Sequence, residues 1–213
     1  MLERPAEAAA DCPLCPRLVA FRGRNQAAEP GWWNGAVPSF GAPDARLLIV
    51  GLAPGLRGAN RTGRPFTGDY AGDLLYASLL NLGLARGTYG ARPDDGLVLV
   101  DCMITNAVRC VPPENKPTPG EIATCRRFLT GRIASLPRLA AILALGRIAH
   151  DSTLAALGAR QSAFPFRHGA QHQAGERVLL FDSYHCSRYN TNTGRLTEAM
   201  FRSVLESIKS HLG

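Results

Sequence analysis

Residues 46–69 read RLLIVGLAPGLRGANRTGRPFTGD, and the change of character along this stretch sets the fold class. Arg46 to Gly51 is a short run of large aliphatic side chains without polar alternation, the pattern of a strand covered on both faces. Leu52 to Asp69 then turns glycine- and arginine-rich, and helical periodicity follows from Ala71 to Leu84. Three more apolar runs repeat the theme: Leu97 to Val100 continuing through Met103 and Ile104, Ala140 to Gly146, and Val178 to Phe181. Strands alternating with helices predict an α/β fold, a three-layer sandwich in which a parallel sheet lies between helices. Ligands of such folds bind at the carboxyl ends of the strands, so the loops that leave those ends are the places to look for chemistry.

The helices have legible ends. Thr118-Pro119-Gly120-Glu121 spells a capping box with proline at the first helical position, leading into Ile122 to Leu136. Leu196, Met200, Val204, Ile208 and Leu212 recur every four residues and predict a C-terminal helix packed on the sheet. Arg147 to Leu157 reads as another helix, and Pro16 to Arg22 as a short N-terminal one. Residues 1–213 contain no internal repeat, low-complexity tract or linker, so one domain is expected.

With 46% hydrophobic and 19% charged residues, a disordered or coiled-coil chain is excluded. Twenty-four basic against 17 acidic residues leave a net +7, which raises the expectation of a polyanionic partner such as nucleic acid. Only Lys116 and Lys209 are lysines, so the positive charge is almost all arginine, suited to bidentate phosphate contacts. No apolar run reaches the roughly 20 residues that span a bilayer, and the first residues carry no secretory pattern. An intracellular, cytoplasmic protein is expected, and its six cysteines then serve better as metal ligands or buried thiols than as disulfides.

Cys12 and Cys15 form a C-x2-C pair, with Cys110 in a loop and Cys125 on the capped helix. Four thiolates from such segments can close a site for an iron-sulfur cluster or for zinc, and plain burial also accounts for them. Cys102 lies inside an apolar run and reads as core. Cys186 next to His185 does not make a nucleophilic pair, because successive side chains of extended backbone point apart.

Three long loops remain. In the first, glycines let the backbone approach a ligand, Arg57, Arg61 and Arg64 can meet phosphates, and Phe66 either plugs the loop onto the core or offers a stacking platform. Asp69 ends it in the position of a helix N-cap. Neither the P-loop nor the dinucleotide-binding glycine spacing is present. The other two run from Asn106 to Pro119 and from Ser183 to Arg195.

GLAPGLRGANRTGRPFTGD at 51–69, ITNAVRCVPPENKPTP at 104–119 with Cys125 downstream, and SYHCSRYNTNTGRLT at 183–197 closely resemble the type-b, or family five, uracil-DNA glycosylases. PFRHGA at 165–170 belongs to the same likeness, which covers nearly the whole chain. The resemblance implies a monofunctional base-excision repair enzyme with a four-stranded parallel sheet, acting as a monomer on DNA that contains uracil or other deaminated bases such as hypoxanthine. It also implies a [4Fe-4S] cluster on Cys12, Cys15, Cys110 and Cys125.

On that footing each residue acquires an expected role. The target nucleotide must be extruded into a pocket, where Gly51 and Ala53 would form a wall and Phe66 would stack on the base. The Asn106 amide can donate to and accept from a pyrimidine edge, with Asn115 beside it. His185 would hydrogen-bond the negative charge that develops on the departing base. Leu52 stands where related enzymes of another type carry a carboxylate, so Asp69 is the candidate to position the attacking water. Lys116, Ser187, Arg188, Tyr189 and Asn190 would contact DNA, the last four entering the minor groove. Cys186 departs from the family habit of a proline or small residue there. Two rivals are a catalytically silent iron-sulfur protein that binds DNA or senses damage, and a small redox protein, for which the glycine-arginine loop would have no use.

Overall fold

A computed structural model describes residues 6–213. In chain order the elements are α1 (Pro16–Ala28), β1 (Phe40–Gly41), β2 (Leu47–Gly51), α2 (Ala59–Thr62), α3 (Tyr70–Asn81), β3 (Ala85–Arg86), β4 (Val98–Leu99) and β5 (Cys102–Asn106). There follow α4 (Pro119–Ala134), β6 (Ala141–Leu145), α5 (Arg147–Ala156), β7 (Gln171–Gln173), β8 (Leu179–Ser183), α6 (Arg188–Asn192) and α7 (Glu198–Leu212).

The main sheet has the order β1-β5-β2-β6-β8-β7. Its four middle strands are parallel, as expected, and the short β1 and β7 add antiparallel margins that the apolar runs do not reveal. The strand expected from Leu97 through Ile104 is in fact two. Val98 and Leu99 pair with Ala85 and Arg86 in a separate ribbon, and the sheet strand starts at Cys102. Asp101 makes the break: it takes a positive φ of 52°, which an aspartate tolerates better than a β-branched residue. Its carboxylate accepts from Arg46 N at 3.0 Å and thereby fixes where β2 begins.

Every residue of β2, β5 and β6 is buried, and alternate side chains divide between two cores. Leu47, Ile49, Cys102, Ile104, Leu143 and Phe181 face α3 and α7, packing on Leu75, Leu79, Phe201 and Leu205. Leu48, Val50, Met103, Ile142, Ala144 and Leu180 face α4 and α5, packing on Leu129, Ala149 and Leu154. Helices therefore cover both faces, which is why these strands show continuous hydrophobicity in sequence. The capping box at α4 is formed in full, with Thr118 Oγ1 accepting from Glu121 N and Glu121 Oε2 accepting from Thr118 N at 2.7 Å. Cys102 is core, as expected.

Registers set the position of the site. Gly51 on β2 lies opposite Asn106 on β5, and Leu145 on β6 lies opposite Ser183 on β8, so these strands end along one edge. The loops leaving that edge begin at Leu52, Ala107, Gly146 and Tyr184. Among the described residues, no helix is long and apolar enough to cross a membrane.

Candidate active site

A cleft of about 430 Å³ opens at this edge, lined by Ala53, Phe66, Asp69, Asn106, Asn115, His185, Ser187 and Arg188 with parts of the first loop. The three long loops thus converge on one cavity. Gly51, expected as part of the wall, is not in the lining but packs directly behind two lining side chains: a Cβ there would overlap Asn106 Oδ1 and sit 2.8 Å from the Phe66 ring. Gly51→Ala is therefore expected to displace Phe66 and Asn106 and abolish ligand binding, while the chain still folds; circular dichroism beside a binding assay checks both.

Phe66 sits at a positive φ of 51°, uncommon for a bulky residue and a marker of a constrained site. The strain is held by hydrogen bonds around it. Tyr76 Oη donates to Pro65 O at 2.6 Å and Tyr89 Oη donates to Phe66 O at 3.2 Å. Arg64 donates to Thr67 Oγ1 at 2.7 Å and forms a two-pronged pair with Asp95 at 2.8 and 2.7 Å. Arg64 is only 6% exposed and stacks near Phe40, Tyr76 and Tyr89. The expected phosphate contact of Arg64 is thus corrected: a guanidinium this buried is neutralised inside the protein and braces the loop. Arg57 and Arg61 remain exposed on the loop surface, outside the cleft lining.

The His185 ring stacks against Phe66, with centroids 5.7 Å apart and 27° between planes. Burial pushes its pKa down to about 4, so the imidazole is neutral at physiological pH. Its loop is fastened on both sides. Asn190 Nδ2 donates to His185 O at 2.8 Å, and His168 Nδ1 accepts from Tyr184 N at 3.2 Å. Asn190 is therefore a brace for the loop at this point. Tyr189 is exposed and Arg188 lies over the Tyr70 ring, 5.2 Å from its centroid, at the cleft rim.

Asn106 is buried, and its Oδ1 has no hydrogen-bond partner among the described residues. A buried amide oxygen left unpaired costs free energy comparable to a lost hydrogen bond, which a ligand donor in the cleft would restore. Asp69 does cap α3, its Oδ1 accepting from Gly72 N at 3.3 Å. Its other oxygen lies against the Gly55 and Gly58 backbone, where a Cβ on Gly55 would come within 2.8 Å. Burial raises its pKa, against the lowering effect of backbone amides of Gly72 and Ala71. Asn115 reaches the lining from a turn in which Glu114 and Asn115 both have positive φ. Lys116 is exposed and paired with Glu114 at 3.1 Å, so no lysine amine faces the cleft.

Away from the cleft, Cys12, Cys15, Cys110 and Cys125 line one apolar cavity with Leu14, Leu18, Val108 and Phe128. Arg22 donates to Cys110 Sγ at 3.6 Å and Arg109 N to Cys125 Sγ at 3.3 Å. Burial pushes the Cys110 and Cys125 thiols up to about 11 and about 12. Four soft donors with amide and guanidinium partners suit a sulfur-ligated metal centre. Among the described residues, no three of these sulfurs fall within 4.8 Å of one another. Ligands on one tetrahedral zinc, at about 2.3 Å from the ion, would be separated by less than that.

The motifs in sequence lead to the cleft residues but not to their braces. Tyr76, Tyr89, Asp95 and His168 act through backbone and charge contacts made across the fold; of these only His168 sits within a quoted motif, and Tyr76 is expected only as part of a helix.

Residues 38–209 match the model of the uracil DNA glycosylase superfamily. The type-5 uracil-DNA glycosylase of Thermus thermophilus is 50% identical over 208 residues, covering 95% of this chain and 94% of that protein. That of Pyrobaculum aerophilum is 39% identical over 208 residues, covering 95% and 90%. A type-4 uracil-DNA glycosylase of Sulfurisphaera tokodaii is 30% identical over 213 residues, covering 96% and 84%.

Proposed function

The chain belongs to the uracil DNA glycosylase superfamily, and from that premise we propose that it excises uracil from DNA by hydrolysis of the N-glycosidic bond, as the first step of base-excision repair. The observation that carries this is the meeting of Phe66, Asn106, Asp69 and His185, from three separate loops, in one cleft. The type-5 relatives, by their names uracil-DNA glycosylases, match over nearly the whole chain.

An extruded uracil packs on the Phe66 ring, and the Asn106 amide meets the base edge, its free Oδ1 accepting N3–H and its Nδ2 donating to O4. As the C1′–N1 bond breaks, electrons flow into the base. A neutral His185 donates a hydrogen bond to the oxygen that becomes negative. Asp69, ionised, orients the water that attacks C1′, and its charge also opposes the cationic character of the sugar. No amine nucleophile takes part, so the product is an intact strand with an abasic site. Arg57, Arg61, Arg188 and Ser187 serve the backbone, and the enzyme works where the DNA is, in the cytoplasm and nucleoid. Hypoxanthine and other deaminated bases are further substrates of the same cleft.

A [4Fe-4S] cluster on Cys12, Cys15, Cys110 and Cys125 completes this proposal. When bound, it supplies a rigid sulfur-iron knot that ties the start of α1 to α4 and to the loop after β5, without a redox step. The gathering of four cysteine sulfurs around one cavity supports it. Purified protein is expected to be brown and to hold iron and acid-labile sulfide in equal amounts, with Cys125→Ser losing both. Zinc in place of iron would overturn the cluster and leave the glycosylase standing.

The enzyme reading is tested with a labelled duplex bearing a single uracil. Strand scission only after alkali is expected. Tight DNA binding without any abasic product would make the chain a silent DNA-binding member of the family.

A further inference from the structure

Behind the His185 loop, three residues from three elements meet that the glycosylase chemistry does not use. They are His150 on α5, His172 on β7 and Asp182 on β8, and their ligand atoms all lie within 4.8 Å of one another. His150 and Asp182 are buried, and His172 is 11% exposed at its side chain.

The hydrogen bonds fix the chemistry. His150 Nε2 lies 2.8 Å from Phe164 O, which can only accept, so Nε2 carries the hydrogen. In a neutral ring Nδ1 then presents its lone pair to Asp182 Oδ1, an acceptor 2.7 Å away. Two lone pairs at that distance repel unless a positive centre lies between them. His172 Nε2 approaches the other carboxylate oxygen at 3.1 Å. Apart from these rings, Asp182 receives only the backbone N–H of Arg167, at 3.3 Å, and no lysine or arginine side chain pairs with it among the described residues.

A protonated His150 beside a neutral His172 that donates its Nε2–H would also satisfy these contacts, and the alternative is a metal ion shared by both rings and the carboxylate. A single divalent ion takes both rings neutral and compensates the buried charge. The contacts of 2.7 and 3.1 Å are already near the about 3.3 Å that separates ligands around a tetrahedral ion with bonds of about 2.0 Å. An Nδ1 ligand whose Nε2–H donates to a backbone carbonyl is the usual outer-shell arrangement of a metal-bound histidine. Phe164 and Phe166 pack edge-on against the two rings, Phe164 on His172 and Phe166 on His150, so their rotamers are set in advance.

We infer that His150 Nδ1, His172 Nε2 and Asp182 form a binding site for one divalent ion of the zinc class, its fourth position open to water on the His172 side. The ion pins α5 to β7 and β8, three residues before His185, and its role is structural.

Equilibrium dialysis of the full chain against Zn²⁺, with His172→Gln alongside, tests this. The parent is expected to hold one ion per chain more than the variant, since both carry the same cysteines. With Co²⁺ substituted, the difference spectrum should show visible ligand-field bands without a near-ultraviolet thiolate band. Saturating Zn²⁺ should raise the melting temperature of the parent more than that of the variant, as binding to the folded state alone requires. Equal metal content in the two, or a difference spectrum of thiolate character only, would overturn the inference and leave a proton-bridged His-Asp-His triad.

Discussion

A His185→Ala variant is expected to excise uracil about 10²- to 10³-fold more slowly in single turnover, the loss typical of one donor aimed at a developing oxyanion. Affinity for abasic product DNA should change little, because the hydrogen bond gains strength only as charge moves onto the base. The pH profile is the sharper test. With its pKa pushed down to about 4 by burial, His185 is neutral across the physiological range. Its protonation therefore cannot depress the rate as pH falls from about 8 to about 5. In the water-orienting role proposed for it, Asp69 has to be ionised, and burial raises its pKa, so the acid limb is expected to follow Asp69 instead, the rate falling as pH drops through that raised value. Loss of the acid limb in Asp69→Asn is the expected signature, with a lower plateau. A limb centred on the ordinary histidine value of about 6.5, and abolished in His185→Ala, would assign His185 the opposite, imidazolium role.

Asp95→Ala should have the largest effect on stability, about 3–5 kcal/mol, because it strands the buried Arg64 guanidinium. For a chain of this size that amounts to a fall of about 10 °C in melting temperature. The double variant Arg64→Met, Asp95→Leu should recover the part of the loss that comes from the stranded charge, but not the part from Gly90 N–H and Leu97 N–H, which lose their acceptor. The Arg64 pair also holds the Asp95 carboxyl well below the usual carboxylate range. Its contribution is thus present above about pH 4, the pKa of the unfolded group, and is lost only as pH falls through the lower folded value. A melting shift under about 2 °C for the single variant would show that Arg64 finds water or another partner. Because Phe66 is held by the same loop, uracil excision should fall in step with loop order in this variant.

Arg64 also shows where sequence stops being informative. Between Gly63 and Pro65 in a glycine-rich loop it reads as a phosphate ligand, and its counter-ion lies 31 residues away, beyond any local pattern. The middle strands were legible because burial on both faces demands continuous apolar runs. β1 and β7 were not, since Gln171 and Gln173 pair through the backbone while their side chains stay in solvent. The break at Asp101 was hidden because apolar residues flank it on both sides, and only its backbone conformation separates them. The motifs led to Phe66, Asn106, Asp69 and His185, and these four line one cavity. What motifs could not supply is the bracing. Tyr76, Tyr89 and His168 fix loop backbone by single hydrogen bonds, and such contacts leave no periodicity or spacing behind.

The sheet ends on one side at the two residues of β1 and on the other at the three of β7. A long bare margin invites a strand from another molecule, which is how folded sheets seed aggregates. Margins this short offer few consecutive donors and acceptors, and the apolar middle strands behind them are out of reach. Together with a net charge of +7, they favour a repair enzyme that stays dispersed when concentrated along its polyanionic substrate.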